Sequence, residues 1–222
     1  MNWNNHSNLE GKHALLSPSG YHWINYSDEE MYEKLSTKYY SSMRVPAGTA
    51  IHEFAARAIT MKEKLPKTTN NIIKSVKYGI FGMEGVSQEL VDFISVLPKE
   101  VFETLRIYVE DCIGFRMEPE KLLHYTDNCF GTADAISFEG NVLRISDLKT
   151  GDTPAHMEQL FVYDALFCLE YHFRPDQIKI ENRLYQFGEV QELLEVPSEL
   201  ILDYMNNIVK KDKIIQQIRG RE

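Results

Sequence analysis

Residues 129–150, which read CFGTADAISFEGNVLRISDLKT, decide the fold of this chain. Apolar residues are frequent in two runs, 129–138 and 142–148, and the intervening Glu-Gly-Asn is a turn signal. The stretch therefore predicts two antiparallel strands joined by a tight turn. Residues 116–123 predict a further strand before them, so the three would form a meander.

The flanking segments are predicted to be mainly helical. Residues 28–30 are acidic, as in the first turn of a helix, and the chain up to 112 reads mostly as helix. After the meander, residues from 154 to about 171 predict a helix that begins at a proline. Residues 177–186 alternate as a strand does, and a long terminal helix is predicted from Pro197.

This order of elements predicts an α/β (α+β) fold. Helices, a three-stranded meander, a helix, a strand and a final helix would give a small mixed sheet flanked by helices. The helical crossover between the third and fourth strands permits a parallel pair. We expect a single domain over 1–222, with a mainly helical part at 1–112 and a catalytic core at 113–222.

The charge balance argues against a protein that coats DNA indiscriminately. The net charge of the 222 residues is −9. Two stretches are nevertheless locally basic, and each is either a phosphate-contacting surface or a solvated helix face. Their basic residues are Lys62, Lys64, Lys67, Lys74 and Lys77 in the first, and Lys210, Lys211, Lys213, Arg219 and Arg221 in the second.

The cysteines and the apolar runs restrict the class of protein further. Three cysteines without a C-x-x-C pair offer no ligand set for a zinc ribbon or a cysteine-ligated iron–sulfur cluster, and we expect three reduced thiols. No apolar run approaches the roughly 18 residues that span a bilayer. The polar first residues contain no signal-peptide core, so the sequence predicts a cytoplasmic protein without a membrane partner.

Three charged residues of the meander are expected to converge. Alternate residues of a strand share a face, so Asp147 and Lys149 point one way while Leu148 points into the core. Asp134 lies near the middle of the preceding strand. Two carboxylates bind hard cations such as Mg²⁺, and a lysine can orient a water or stabilise a transition state. The constellation suits phosphodiester hydrolysis.

The next helix carries two more candidates. Gln159 and Tyr163 are four residues apart and therefore share a helix face. Taken alone, each is more often an ordinary surface or half-buried residue. Following Asp147-Leu148-Lys149 directly, the pair can position the lysine, a water or a DNA strand.

Four motifs in this order resemble the PD-(D/E)XK nuclease superfamily, and specifically its RecB-like branch, which includes phage-type exonucleases. Each motif is weak alone, and their order makes the resemblance specific. It covers roughly residues 13–186, and residues 13–19 (HALLSPS) also resemble phage-encoded members. The motifs are GTAIHE at 48–53 with His52, GTAD at 131–134, DLKTG at 147–151 and QLFVY at 159–163.

The resemblance implies a role for each matching residue. Asp134, Asp147 and the backbone carbonyl of Leu148 would be metal ligands, and Lys149 would be the catalytic lysine. His52 would be an additional metal ligand. Gln159 and Tyr163 would support the site or the substrate, and Thr150 would contact the substrate. An upstream acid often completes the set. Glu118 and Glu120 are the candidates, with Glu118 better placed relative to the match.

The resemblance also implies a function. It predicts a DNA nuclease that uses one or two Mg²⁺ or Mn²⁺ ions and no iron–sulfur cluster, most simply an exonuclease in phage or bacterial DNA recombination, repair or processing. A structure-selective endonuclease and an inactive nucleic-acid-binding module are the alternatives. The implied partners are DNA, a recombinase, a single-strand-binding protein or a helicase, and homo-oligomers are possible. The chain has no G-x-x-x-x-G-K-S/T phosphate loop, so any ATP-driven unwinding would need a partner.

Overall fold

A computed structural model describes residues 24–219 of the chain. The HALLSPS stretch at 13–19 and Arg221 of the second basic stretch lie outside these residues. The described chain divides into two compact units, the first ending at Val45 and the second beginning at Pro46. Between residues 24 and 219, no helix combines the length and apolar character that crossing a bilayer requires.

The first unit contains the start of helix α1 (Asp28–Met61). Ser27 Oγ accepts a hydrogen bond from the Glu30 N–H at 3.2 Å, and a Glu30 carboxylate oxygen accepts one from the Ser27 N–H at 2.9 Å. This reciprocal cap satisfies two backbone donors that the helix leaves unpaired. The helix start that the acidic residues predict is therefore confirmed. Pro46 lies inside α1, at the boundary of the units.

The helices of the second unit precede its sheet. The later part of α1 buries one face, which includes Ile51, Phe54 and Ala58. Helices α2 (Thr69–Ile80), α3 (Gln88–Ile94) and α4 (Lys99–Gly114) follow.

Five strands form one sheet in the order β1-β2-β3-β4-β5. Strands β3 and β4 are parallel, joined by helix α5 (Glu158–Tyr171), and the other neighbours are antiparallel. Helix α6 (Ser198–Arg219) ends the described chain. The predicted α+β fold with a mixed sheet flanked by helices is confirmed, although α5 begins four residues later than predicted and β5 was not predicted. The strands are β1 (Glu118–Thr126), β2 (Cys129–Glu139), β3 (Val142–Leu148), β4 (Lys179–Gln186) and β5 (Glu189–Leu193).

The main apolar core lies between the sheet and the pair α5 and α6. It includes Leu143 and Ile145 of β3 and Leu160 and Leu166 of α5, all nearly inaccessible to solvent. A polar pair is enclosed in the same core region: Asp164 of α5 and Asn182 of β4 are both fully buried. Asn182 Nδ2 donates to Asp164 Oδ2 at 2.6 Å, and burial raises the pKa of Asp164 to about 8. Asp164 is thus predominantly protonated at neutral pH.

Candidate metal centre and catalytic site

Asp134 and Asp147 meet at the end of the β2–β3 pairing. The last paired residues are Ala135 and Ser146, and the register continued by one step places Asp134 opposite Asp147. There the Leu148 backbone N–H donates to Asp134 Oδ2 at 2.9 Å. The side chain of Asp134 thus bonds to the strand that carries Asp147. The convergence that the hairpin predicts is present.

Helix α1 brings His52 to the same carboxylate. His52 Nδ1 lies 3.4 Å from Asp134 Oδ2. One turn earlier, a Cβ on Gly48 would stand 3.0 Å from Thr150 Oγ1, so α1 comes very close to the residues that follow β3. Glycine leaves room for this approach, a role that the GTAIHE motif alone does not indicate.

The pKa of His52 reflects this environment. Burial alone would lower it, but the hydrogen bond to Asp134 and the negative charges of Asp134, Asp147 and Glu120 raise it above the ordinary value. The imidazole therefore lies in a strongly negative setting. Such a setting also attracts a metal cation.

Glu120 is the acid from β1 that joins His52 and Asp134. One ligand atom from each of these three residues lies within 4.8 Å of the other two. The pairs Pro119–Ala135 and Lys121–Ala133 flank it, so Glu120 stands opposite Asp134 in the register. Burial and the charge of Asp134 raise the pKa of the Glu120 carboxyl.

Glu118, the acid favoured by the sequence match, lies elsewhere. Its carboxylate contacts Lys121 Nζ at 3.0 Å, and its side chain is 71% exposed. Residue Glu120 adopts a positive φ of 50°, which departs from extended strand geometry. The structure thus brings Glu120, and not Glu118, to the group. A prediction that treats the segment as a regular strand could not separate the two.

Lys149 is held between two side chains. Its Nζ lies 2.9 Å from Asp147 Oδ2 and 3.1 Å from Oδ1. It also donates to Gln159 Oε1 at 2.9 Å. Asp147, Lys149 and Gln159 are therefore in direct contact. Asp147 lies beside the group formed by His52, Glu120 and Asp134, and its carboxylate contacts the ammonium of Lys149.

Tyr163 continues this chain of contacts to β2. Gln159 Nε2 lies 3.4 Å from the Tyr163 hydroxyl, which donates to the Thr132 carbonyl at 2.7 Å. A Cβ on Gly131 would stand 3.1 Å from Tyr163 Cε1. Gly131 therefore leaves space for the ring, which gives a structural reason for the glycine in the GTAD motif.

Asp147 is the most enclosed acid of the site, with a side chain only 3% exposed. Burial and the charge of Asp134 raise its pKa to about 6, although Lys149 acts in the opposite direction. Carboxylates that repel one another in a buried place release that strain when a cation binds between them. The donor set of one imidazole and several carboxylates suits a divalent metal such as Mn²⁺ or Mg²⁺.

A comparison with protein-family models finds a match over most of the chain. A family model described as "Protein of unknown function (DUF2800)" matches residues 13–170. The matched part contains His52, Glu120, Asp134, Lys149 and Tyr163. Neither a curated protein nor a solved structure matches the chain.

Proposed function

The chain belongs to the family described as protein of unknown function (DUF2800), and we propose that it is a metal-dependent nuclease that hydrolyses phosphodiester bonds in DNA. One observation carries the proposal. The Lys149 ammonium is fixed between Asp147 and Gln159, and the N–H of the preceding residue, Leu148, donates to Asp134, one of three potential metal ligands. A fixed cation beside a metal site stabilises the negative charge that develops on the phosphate during phosphodiester cleavage.

The metal ligands of this enzyme would be His52, Glu120 and Asp134, with Asp147 and the Leu148 carbonyl as the resemblance implies. The spacing within 4.8 Å is compatible with one ion shared by three donors. When bound, a divalent cation neutralises charge on the phosphate and lowers the pKa of a water. Mn²⁺ and Mg²⁺ both suit oxygen ligands, and the single imidazole nitrogen favours Mn²⁺.

The remaining residues position and charge the site. Lys149 presents its ammonium to the scissile phosphate, where it stabilises the negative charge that develops in the transition state. Asp147 and Gln159 hold that ammonium in place. Tyr163 orients Gln159, because its own hydroxyl is tied to the backbone of β2. The chain from Thr132 to Lys149 thus fixes the catalytic cation before the substrate arrives.

We favour an exonuclease that acts on DNA in the cytoplasm of a bacterial cell. The preference for exonuclease rests on the resemblance to the RecB-like branch. A non-catalytic binding module is disfavoured because Asp134, Asp147 and Lys149 are all intact and in contact or adjacent.

Cleavage assays with linear and closed circular DNA test the proposal. The purified protein and the variant Lys149→Ala are incubated with end-labelled single- and double-stranded DNA in Mg²⁺, Mn²⁺ or EDTA. We expect metal-dependent loss of linear DNA, at a rate that falls by about 10²–10³-fold in Lys149→Ala. The exposed lysine variant Lys99→Ala is the matched control and should retain full activity.

Two other outcomes would change the proposal. Cutting of closed circles would show a structure-selective or general endonuclease. Absence of cleavage with every metal and DNA, or equal activity in Lys149→Ala, would refute the proposed nuclease site.

A further inference from the structure

Two adjoining grooves extend from His52 toward the end of α1. The first, of about 520 Å³, has His52 and Glu120 among its walls. The second, of about 460 Å³, lies between the end of α1 and helix α2. Arg57 and Met61 line both grooves. A ligand that occupies the first groove at His52 can therefore continue into the second.

The wall between the grooves is held by contacts between α1 and the end of α2. Arg57 Nη2 donates to the Gly79 carbonyl and lies 3.5 Å from Met83 Sδ. A Cβ on Gly79 would stand 2.5 Å from the Phe54 ring, so α2 packs directly on α1 at this point. The surface is therefore preformed by the packing of the two helices.

The second groove carries an exposed aromatic ring. Tyr78 is 84% exposed and Met61 is 68% exposed. The buried face of α2 is formed by Ile72, Val76 and Ile80, so Tyr78 contributes little to the core. Large apolar side chains displayed together beside a groove indicate a binding surface more often than isolated ones do.

The charge around Tyr78 is opposite to that of the whole protein. Between residues 61 and 81 there are five lysines and one acid, Glu63, whereas the chain carries a net charge of −9. Lys64, Arg57 and the acid Glu63 line the second groove. Lys74 is exposed and lies one helical turn before Tyr78, on the same face of α2. The acids of the first groove, Glu53 and Glu120, lie at its His52 end, where Glu120 is a proposed metal ligand.

We propose that the surface formed by Met61, Lys64, Lys74 and Tyr78 is a track for single-stranded DNA that leads along α1 to His52. This inference rests on the proposed function and names its substrate. The lysines contact phosphates, and the Tyr78 ring stacks on a base. Stacking on an exposed ring is sequence-tolerant, because every base has a π-face, and it requires an unpaired base. A duplex offers no such face along its length, so the track discriminates in favour of single strands.

The length of the track sets the length of strand that it recognises. His52 and Met61 are nine residues apart on one helix, which is about 13 Å at 1.5 Å per residue. A strand must therefore be several nucleotides long to contact Tyr78 while a phosphate lies at the metal site. Very short oligonucleotides are expected to gain nothing from Tyr78.

Binding measurements in the Lys149→Ala background test the track without cleavage. Fluorescence anisotropy is followed for a labelled single-stranded 20-mer, a dinucleotide and a duplex 20-mer in Mg²⁺. Adding Tyr78→Ala should weaken binding of the single-stranded 20-mer by about 10-fold and leave the duplex and the dinucleotide unchanged. Tyr32→Ala, which removes another exposed tyrosine (78% exposed), is the matched control and should change nothing.

The lysines are tested by salt dependence. Lys64→Ala combined with Lys74→Ala should reduce the slope of log Kd against log salt for the single strand by about 1.4, or about 0.7 for each lost phosphate contact. The pair Lys210→Ala and Lys211→Ala on α6 is the comparison. An equal loss in that pair, or wild-type single-strand binding in Tyr78→Ala, would overturn the track.

The track and the nuclease can fail separately. Anisotropy measures DNA binding to the track in a variant that does not need to cleave. The cleavage assay measures hydrolysis at the metal site of the native chain. If Lys149→Ala binds the single strand no better than the duplex while the native chain cleaves DNA, the track alone is refuted. Selective binding through Tyr78 without any cleavage would refute the proposed hydrolysis and leave a single-strand-binding protein.

Discussion

The Asp134 carboxylate accepts a 2.9 Å hydrogen bond from the backbone N–H of Leu148, the residue between Asp147 and Lys149. The same Oδ2 atom lies 3.4 Å from His52 Nδ1. One side chain therefore contributes both to the β2–β3 pairing and to the group that could hold a metal. These two contributions can be separated by substitution.

Asp134→Asn is expected to keep the fold and lose metal affinity. An amide oxygen still accepts the Leu148 N–H, but it is neutral and a much weaker metal ligand than a carboxylate. Asp134→Ala should lose both the hydrogen bond from Leu148 and the metal affinity. It should also unfold at a lower temperature, because an unpaired N–H in a partly buried place costs about 1–3 kcal/mol. Thermal unfolding and calorimetric Mn²⁺ titration measure the two effects. Unchanged Mn²⁺ binding in Asp134→Asn would show that Asp134 is not a ligand.

Gln159→Ala is expected to slow the reaction by releasing Lys149. The ammonium would keep Asp147 but lose the 2.9 Å hydrogen bond to Gln159, and a misplaced catalytic group costs about 10–100-fold in rate. Because the effect acts through Lys149, kcat should fall while KM changes little. Gln159→Glu retains an acceptor and should recover part of the rate. Steady-state kinetics measure both constants, and Gln191→Ala, which removes an exposed glutamine on β5, is the control. A rise in KM alone would show that Gln159 contacts the substrate directly.

The hairpin was predictable because local and long-range signals agree there. Gly140 and Asn141 both adopt positive φ, the conformation that a two-residue turn between twisted strands requires and that these residue types favour. The turn between β4 and β5 has the same conformation at Phe187 and Gly188. Phenylalanine is not a turn signal, so β5 could not be read from the sequence.

Other differences arise from contacts across the fold. Residues 154–157 precede α5 without joining it. The Gln186 side chain from β4 bonds to the backbone at Gly151, Thr153 and Ala155, and so holds this segment as a loop. For the site, the motif order predicts that Asp134, Asp147, Lys149, Gln159 and Tyr163 lie together, and their contacts show this proximity, while their roles stay predictions. The choice of Glu120 over Glu118 depends on the β1–β2 register and on local backbone conformation, which periodicity alone does not define.

Gly131→Ala is expected to disturb the site through Tyr163. The added Cβ would stand 3.1 Å from a ring whose hydroxyl is fixed on Thr132, so the ring must move. Such crowding costs about 1 kcal/mol or more of stability and should also weaken the support of Gln159. Unfolding and cleavage rates measure both effects.

The control for Gly131→Ala is Gly114→Ala, where no atom lies within 4 Å of the new Cβ. Combining Gly131→Ala with Tyr163→Ala should cost less stability than the sum of the single changes, because the ring that clashes is gone. Additive losses would show that the crowding does not act through Tyr163.

Asp164→Asn is expected to stabilise the protein, and more so at higher pH. Burial raises the pKa of Asp164 from an ordinary 3.8 to about 8, so between these values the folded state holds a proton that the unfolded state has released. Stability therefore falls as pH rises through this window, by up to about 1.4 kcal/mol per pH unit, and the effect of this group levels off above it. An asparagine never ionises, and two facing amides can exchange two hydrogen bonds. Within residues 24–219, Asp164 Oδ1 and Asn182 Oδ1 have no hydrogen-bond partner.

Urea unfolding at pH 5, 6, 7 and 8 should show a stability gain in Asp164→Asn that grows with pH, whereas the exposed control Asp203→Asn should show none. A gain that is constant from pH 5 to 8 would mean that Asp164 is not protonated in the folded protein.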